Sequence, residues 1–235
     1  MNLAGLEVTW LGHASVRVRM GDGTTLLIDP WLEGNPACPD GEHAQERVDA
    51  IFVTHGHFDH VGNTVELAKK ADAPVFAIHE VASWFAAQGL EQAIGSNKGG
   101  TVTAIAGIRA TLVDAVHSSG ISGDQGIVAG GEAAGWVLEF PDGPTLYHAG
   151  DTMVYSDMKL VGELWAPDVA FLPIGGWYTM DPRQAAMAGS LLGVETVVPI
   201  HFGTFPILAG TPDELDDHAA GAFEVAELEI GVPVG

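Results

Sequence analysis

Four side chains able to ligate a metal stand within six residues: His55, His57, Asp59 and His60. In an extended segment residues two apart point the same way, so His55 and His57 can converge on one ion. Gly56 between them reads as a sharp backbone turn at the end of a strand. Asp59 and His60 fall where the chain enters a helix and would face a neighbouring ion. Imidazole with carboxylate suits zinc, and the oxygen ligands also admit manganese or iron. The plain alternative is a solvated, histidine-rich turn. The chain has only ten histidines, and finding three of them here with an aspartate, directly after an apolar run, favours the metal reading. Two divalent ions side by side can bridge a hydroxide near neutral pH and direct it at a carbonyl or phosphoryl centre.

The elements that must position these residues follow from periodicity. Ala50 to Val53 is a short apolar run, read as a buried strand that delivers Thr54-His55-Gly56-His57. Upstream, Glu7 to Met20 reads as one strand, Gly21-Asp22-Gly23 as a turn and Thr24 to Asp29 as the returning strand, ended by Pro30. Residues 33–47 read as an exposed loop. Downstream, a helix is expected through about Lys70, a strand over 74–78 and a helix over 81–88 closed by Gly89. Further strands are expected near 107–116, 136–140, 145–149, 168–174 and 196–200. Helices are expected near 153–165, 182–192 and 212–222, the last capped by Thr211 with Pro212 at its first position. This alternation predicts stacked sheets with helices outside, and no linker-like or repeated segment divides residues 1–235, so one domain is expected.

Composition narrows the partners. Nine Lys+Arg stand against 31 Asp+Glu, a formal charge of −22. Such a surface repels phosphate backbones and anionic lipid, so neither nucleic acid nor membrane is expected. Cys38 is the single cysteine, which rules out an intrachain disulfide and a thiolate cluster. With no basic, apolar leader visible at Met1 to Gly5 and no apolar stretch of bilayer length, a cytoplasmic protein is expected.

The segment Thr54-His55-Gly56-His57-Phe58-Asp59-His60 resembles the T-H-x-H-x-D-H signature of the metallo-β-lactamase superfamily. Other segments resemble a branch of uncharacterised metal-dependent hydrolases within it. They include Trp10-Leu11-Gly12-His13-Ala14, Leu27-Ile28-Asp29-Pro30, His117-Ser118-Ser119-Gly120, His148-Ala149-Gly150-Asp151 and Pro199-Ile200-His201-Phe202-Gly203. The resemblance runs nearly end to end and implies an α/β fold, a four-layer αβ/βα sandwich with two central mixed sheets and helices outside. It implies that His55, His57 and His117 hold one metal, that Asp59, His60 and His201 hold the second, and that Asp151 bridges them. Catalytic roles would fall on Asp59, His60 and Asp151. The apolar runs before His117, Asp151 and His201 agree with this, since all three would then lie along one sheet edge.

Around this set, His13 and His148 read either as groups that orient ligands or touch substrate, or as hydrogen-bonded core histidines. Asp29 is expected to support the motif loop. His43, His79 and His218 read as surface. Rim segments are expected at 118–135, 175–180 and 202–210; Trp177, Tyr178 and Phe205 read either as an apolar wall or as loop packing, and Lys98, in a flexible turn, either as a contact for a substrate anion or as a lysine facing water. The expected activity is hydrolysis of an ester-type bond, phosphodiester or lactone, in a small molecule; sugar-phosphate lactonases resemble this branch more distantly. Two divalent ions, zinc first and manganese or iron as alternatives, are the expected cofactors, with self-association as a further expectation. Two other readings of the same scaffold stay open, a di-iron redox protein and a metal-stabilised binding protein without turnover.

Overall fold

Strand β1 (Glu7–Trp10) pairs antiparallel with β2 (Val16–Arg19). Where alternation predicts one continuous strand over 7–20, the chain reverses at Gly12 (φ +94°) and His13 (φ +55°). Glycine takes that conformation without steric cost, and the reversal brings His13 to the strand ends. The computed structural model from which this is drawn describes residues 1–123 and 126–235; Asp124 and Gln125, inside the expected rim segment 118–135, lie outside the described residues.

The first sheet continues from β2 through β3 (Thr25–Ile28), β4 (Ala50–Phe52), β5 (Val75–Ile78) and β6 (Ala93–Ser96). Its first two pairings are antiparallel and its last three parallel. The parallel crossovers carry α1 (Phe58–Val61), α2 (Thr64–Ala71) and α3 (His79–Ala87). The single helix expected through Lys70 is interrupted at Gly62 (φ +27°). A Cβ there would lie 2.5 Å from Trp31 Cα, so close passage past Trp31 takes precedence over helical continuity.

Next come β7 (Thr101–Thr103) and β8 (Arg109–Asp114), then a separate hairpin of β9 (Gly120–Gly123) with β10 (Gly126–Ala129). The second sheet is completed by β11 (Ala134–Glu139), β12 (Thr145–His148), β13 (Val169–Pro173), β14 (Thr196–Ile200) and β15 (Glu224–Val225). Its order is β15-β14-β13-β12-β11-β8-β7, mixed like the first. Helices α4 (Met158–Trp165), α5 (Pro182–Leu192) and α6 (Pro212–Ala219) accompany it. The helix expected from 153 begins only at Met158, because Met153 N–H donates to Val116 O at 3.3 Å and Tyr155 Oη donates to Asp114 O at 2.5 Å, holding this stretch against the end of β8. Thr211 caps α6 with the reciprocal Thr211–Glu214 hydrogen bonds of a capping box.

Alternation along the second sheet explains the layering. Leu112, Trp136, Leu138, Leu146, Phe171 and Val198 pack with the first sheet's Ile51 and Phe52. The intervening Val113, Val137, Tyr147, Ala170 and Val197 pack instead with Val161, Ala185, Leu192 and Leu215 of the helices. On the other side α2 and α3 pack against β4, β5 and β6. The two sheets touch at Phe52 and Trp136, rings 5.2 Å apart, and Trp136 Nε1 donates to Val53 O at 3.0 Å. Among the described residues no helix is long and apolar enough to cross a membrane.

Candidate metal centre

The histidine-rich segment leaves β4 at Thr54. Gly56 is required here for a reason other than a sharp turn. Its backbone N–H donates to Ser119 Oγ at 3.0 Å, and a Cβ on it would stand 2.6 Å from Ile121 Cγ1 and 3.2 Å from Ser119 O. The residue is glycine because the segment leading into β9 passes against it. His57 stays extended, and α1 begins at Phe58. Alternation therefore does aim His55 and His57 at the same place, with His55 Nε2 3.0 Å from His57 Nδ1.

The second sheet supplies the rest. His117 follows β8, and its Nε2 lies 3.3 Å from His57 Nδ1. Asp151, just past β12, sits in the middle: Oδ2 is 3.2 Å from His201 Nε2, 3.5 Å from His117 Nε2 and 4.0 Å from His55 Nε2. Its Oδ1 is 3.3 Å from His60 Nε2. His201 follows β14 in a left-handed conformation (φ +56°), its N–H donating to His13 O at 2.9 Å. Two groups result, one of His55, His57, His117 and Asp151, the other of His13, Asp59, His60 and His201. Within each, the candidate ligand atoms all lie within 4.8 Å of one another. All seven residues expected as ligands are thus brought together, and His13 joins them.

The outer nitrogens of three histidines are occupied by oxygen, which directs the inner ones to the centre. His60 Nδ1 meets Asp29 Oδ2 at 2.7 Å, His55 Nδ1 meets Thr54 Oγ1 at 3.0 Å and His57 Nε2 meets Ser118 Oγ at 3.2 Å. Asp29 is fully buried, and it also accepts from Thr54 N–H at 2.7 Å and Thr54 Oγ1 at 2.6 Å. That is the supporting role expected of it. Thr54 and Ser118 were not singled out as site residues; both lie inside the recognised segments, but no spacing pattern marks a hydroxyl that holds an imidazole.

The donor set fits a cation. His60 Nε2, His201 Nε2 and Asp151 Oδ1 are buried and lack a hydrogen-bond partner despite their closeness, because they are misaligned for one another. Buried polar atoms left unpaired are costly, and lone pairs converging on one spot are what a divalent ion satisfies. Electrostatics point the same way. Burial opposes charge on His60 and His201, but the nearby carboxylates outweigh it: Asp151 and Asp29 raise His60 well above its ordinary value, and Asp151 with Asp59 raises His201 to about 9. Burial lowers His55, His57 and His117. Despite burial, Asp59 and Asp151 are held well below the usual carboxylate range, Asp59 by its hydrogen bond with His13 and the nearby His201 and His60, and Asp151 by the His201 and His60 charges. The centre concentrates negative charge and basic nitrogen, and without a cation it retains protons on His60 and His201.

The remaining expected residues divide. His13 is buried, its Nε2 3.0 Å from Asp59 Oδ2 and its Nδ1 3.0 Å from Thr204 Oγ1. His148 lies behind the centre: its Nε2 meets Ala14 O at 2.9 Å and Nδ1 accepts from Gly150 N–H at 3.2 Å. It fixes the Ala14 turn and the approach to Asp151 and does not reach the cavity. Lys98 is not a substrate contact. Its Nζ is paired with Asp114 at 2.5 Å and Glu132 at 2.9 Å, away from the centre, because these carboxylates stand beside its turn. Tyr178 lines the cavity above the centre, whereas Trp177 stands 75% exposed with only its ring edge toward Tyr178. The left-handed conformation of Trp177 (φ +60°) turns it outward. His79 and His218 are exposed as expected, and His43 is half-buried.

A family model described as a beta-lactamase superfamily domain matches residues 24–202. A metal-dependent hydrolase of Koribacter versatilis is 53% identical over 216 residues, covering 92% of this chain and 92% of that one. Another, from Solibacter usitatus, is 47% identical over 230 residues, covering 97% and 99%. Among solved structures, a metallo hydrolase from the hyperthermophilic archaeon Ignicoccus hospitalis superposes with a TM-score of 0.85 at 36% identity, covering 97% of each chain. With the T-H-G-H-F-D-H segment, the two mixed sheets and the paired clusters at their edge, the chain belongs to the metallo-β-lactamase superfamily and is a metal-dependent hydrolase of it.

Proposed function

We propose that the centre holds two divalent metal ions, zinc in preference to manganese or iron, and that the protein hydrolyses an ester-type bond in a small molecule. The observation that carries this reading is the pair of four-residue groups meeting at Asp151. In it, His55, His57 and His117 would hold one ion and Asp59, His60 and His201 the other, with Asp151 placed to serve both groups. Ions so held lower the pKa of water and polarise an acceptor oxygen. Both ring nitrogens of His13 are engaged, so it acts as the partner of Asp59, fixing Oδ2 and leaving the carboxylate facing the cavity. We assign proton transfer on the substrate side to Asp59, and to Asp29, Thr54 and Ser118 the orientation of His60, His55 and His57.

The same reading takes residues 1–235 as one catalytic domain, cytoplasmic and acting without nucleic acid or membrane. The formal charge of −22 and the single cysteine support it. The test is elemental analysis of the purified protein with turnover of a carboxylic ester, a lactone and a phosphodiester, repeated for His57→Ala. We expect about two ions per chain in the parent and a loss of both metal and turnover in the variant, since water does not replace a missing imidazole without loss of affinity. A variant that kept its metal and its rate would overturn the ligand assignment. Iron with a redox-active spectrum and no hydrolysis would overturn the reaction.

A further inference from the structure

Resting on the hydrolytic reading above, we infer that the bond cleaved belongs to an uncharged carboxylic ester or lactone whose acyl or alkyl portion is apolar, and that phosphodiesters are not the substrate class. Over the metal centre opens a cavity of about 530 Å³, a size suited to a small organic ligand. Its floor is formed by His57, Asp59, His117, Asp151 and His201, with His13 and Ser118 beside them. Its wall is Phe58, Tyr178, Phe205, Ile207 and Leu208. Among the described residues no lysine or arginine lines it, and Lys98, the nearest sequence candidate, is neutralised elsewhere by Asp114 and Glu132. Among the described residues, polar recognition is thus confined to the floor and the Tyr178 hydroxyl, and the rest of the wall is hydrocarbon.

The exposure of these side chains supports the assignment. Phe58, Tyr178 and Ile207 are 55%, 62% and 43% exposed. Phe205 is built into the wall by stacking on Trp31 at 6.0 Å, and Trp31 in turn holds Phe58 edge-on at 5.6 Å. A phosphodiester would bring an anion through the field of a chain carrying −22, and on the described wall it would meet only the Tyr178 hydroxyl and no cationic side chain. A neutral ester meets no such repulsion. Its hydrolysis adds water across the acyl carbon–oxygen bond; that bond breaks, the leaving oxygen takes a proton, and an alcohol and a carboxylic acid result. The acid then ionises to a carboxylate.

Two probe series separate recognition from turnover. Calorimetric binding to the metal-loaded protein uses alkyl-substituted lactams, which mimic lactones without being cleaved, and dialkyl phosphates of matched chain length. Initial rates use p-nitrophenyl esters from acetate to octanoate and bis-p-nitrophenyl phosphate. We expect lactam Kd to tighten about threefold per methylene until the wall is covered, kcat/KM of the esters to rise in parallel, and the phosphate probes to bind and react more weakly at every length. Ile207→Asp should keep its metal, measured by elemental analysis, and lose the chain-length dependence. A lactam Kd indifferent to chain length, or a phosphodiester outpacing the esters, would overturn the inference. Chain-length-dependent lactam binding with no turnover of any ester or phosphate would uphold the apolar recognition and overturn the hydrolytic reading beneath it.

Discussion

Asp29→Asn tests whether one buried carboxylate sets the protonation of histidines in both metal groups. In the parent, Asp29 Oδ2 takes the His60 Nδ1 proton at 2.7 Å and the Thr54 hydroxyl proton at 2.6 Å, while Thr54 Oγ1 stands 3.0 Å from His55 Nδ1. When both imidazoles are neutral, as ligation requires, both Nε2 atoms thereby turn lone pairs toward the centre. An asparagine oriented to keep the 2.7 Å acceptor for Thr54 N–H presents its NH₂ to His60 and Thr54. His60 Nδ1 must then accept, and the hydroxyl turns to His55, so both imidazoles carry their proton inward where the cation should sit. Loss of such an orienting partner reduces metal affinity by ~10–100-fold, equivalent to about 1.4 kcal/mol per factor of ten. Asp29→Ala behaves differently, because it leaves three buried donors without an acceptor and should cost about 3–5 kcal/mol of fold stability as well. Chelator competition gives the affinity and urea unfolding of the metal-free protein gives the stability. An asparagine variant with parental metal affinity would refute the tautomer argument, whatever its stability.

Gly56→Ala should cost about 1–3 kcal/mol in urea unfolding and lower metal content, since its Cβ would press on Ile121 Cγ1 at 2.6 Å; a neutral effect would show that the β9 segment yields freely. Metal uptake at pH 7 should release on the order of two protons, read with a pH indicator in weak buffer, because His60 and His201 (the latter raised to about 9) are protonated in the metal-free protein and must become neutral to ligate. The sign follows: apparent metal affinity should climb as pH rises from 6.5 toward about 9, and uptake without proton release would contradict the role of both residues.

Much of the centre was legible because its chemistry is local. The segment from His55 to His60 carries its ligands in one stretch, and the apolar runs before His117, Asp151 and His201 correctly mark strands whose ends meet at one edge. Helix α5 and the Thr211 cap of α6 follow from proline and capping chemistry. What failed depends on contacts distant in sequence. The reversal at Gly12–His13 is invisible to alternation, so the pairing of His13 with Asp59, 46 residues away, could not be anticipated. Strands β6, β7, β9, β10 and β15 are short, several are largely exposed and three contain glycine, so they lack the apolar signal that marks buried strands. Neither reading of Lys98, substrate contact or solvent-facing lysine, anticipated its pairing with Asp114 and Glu132, because those carboxylates are 16 and 34 residues away in sequence.

The division of the ligands between the sheets constrains when the centre can form. The loop after β4 contributes His55, His57, Asp59 and His60, while the second sheet contributes His117, Asp151 and His201. A nascent chain that has laid down only its N-terminal half offers fewer ligands to each ion and no Asp151 to join them. Tight metal loading therefore waits for both halves to dock, and metal held there would fasten the finished sandwich at that edge. Metal so bound would serve as a checkpoint on assembly, admitted only by a chain whose two halves have found each other.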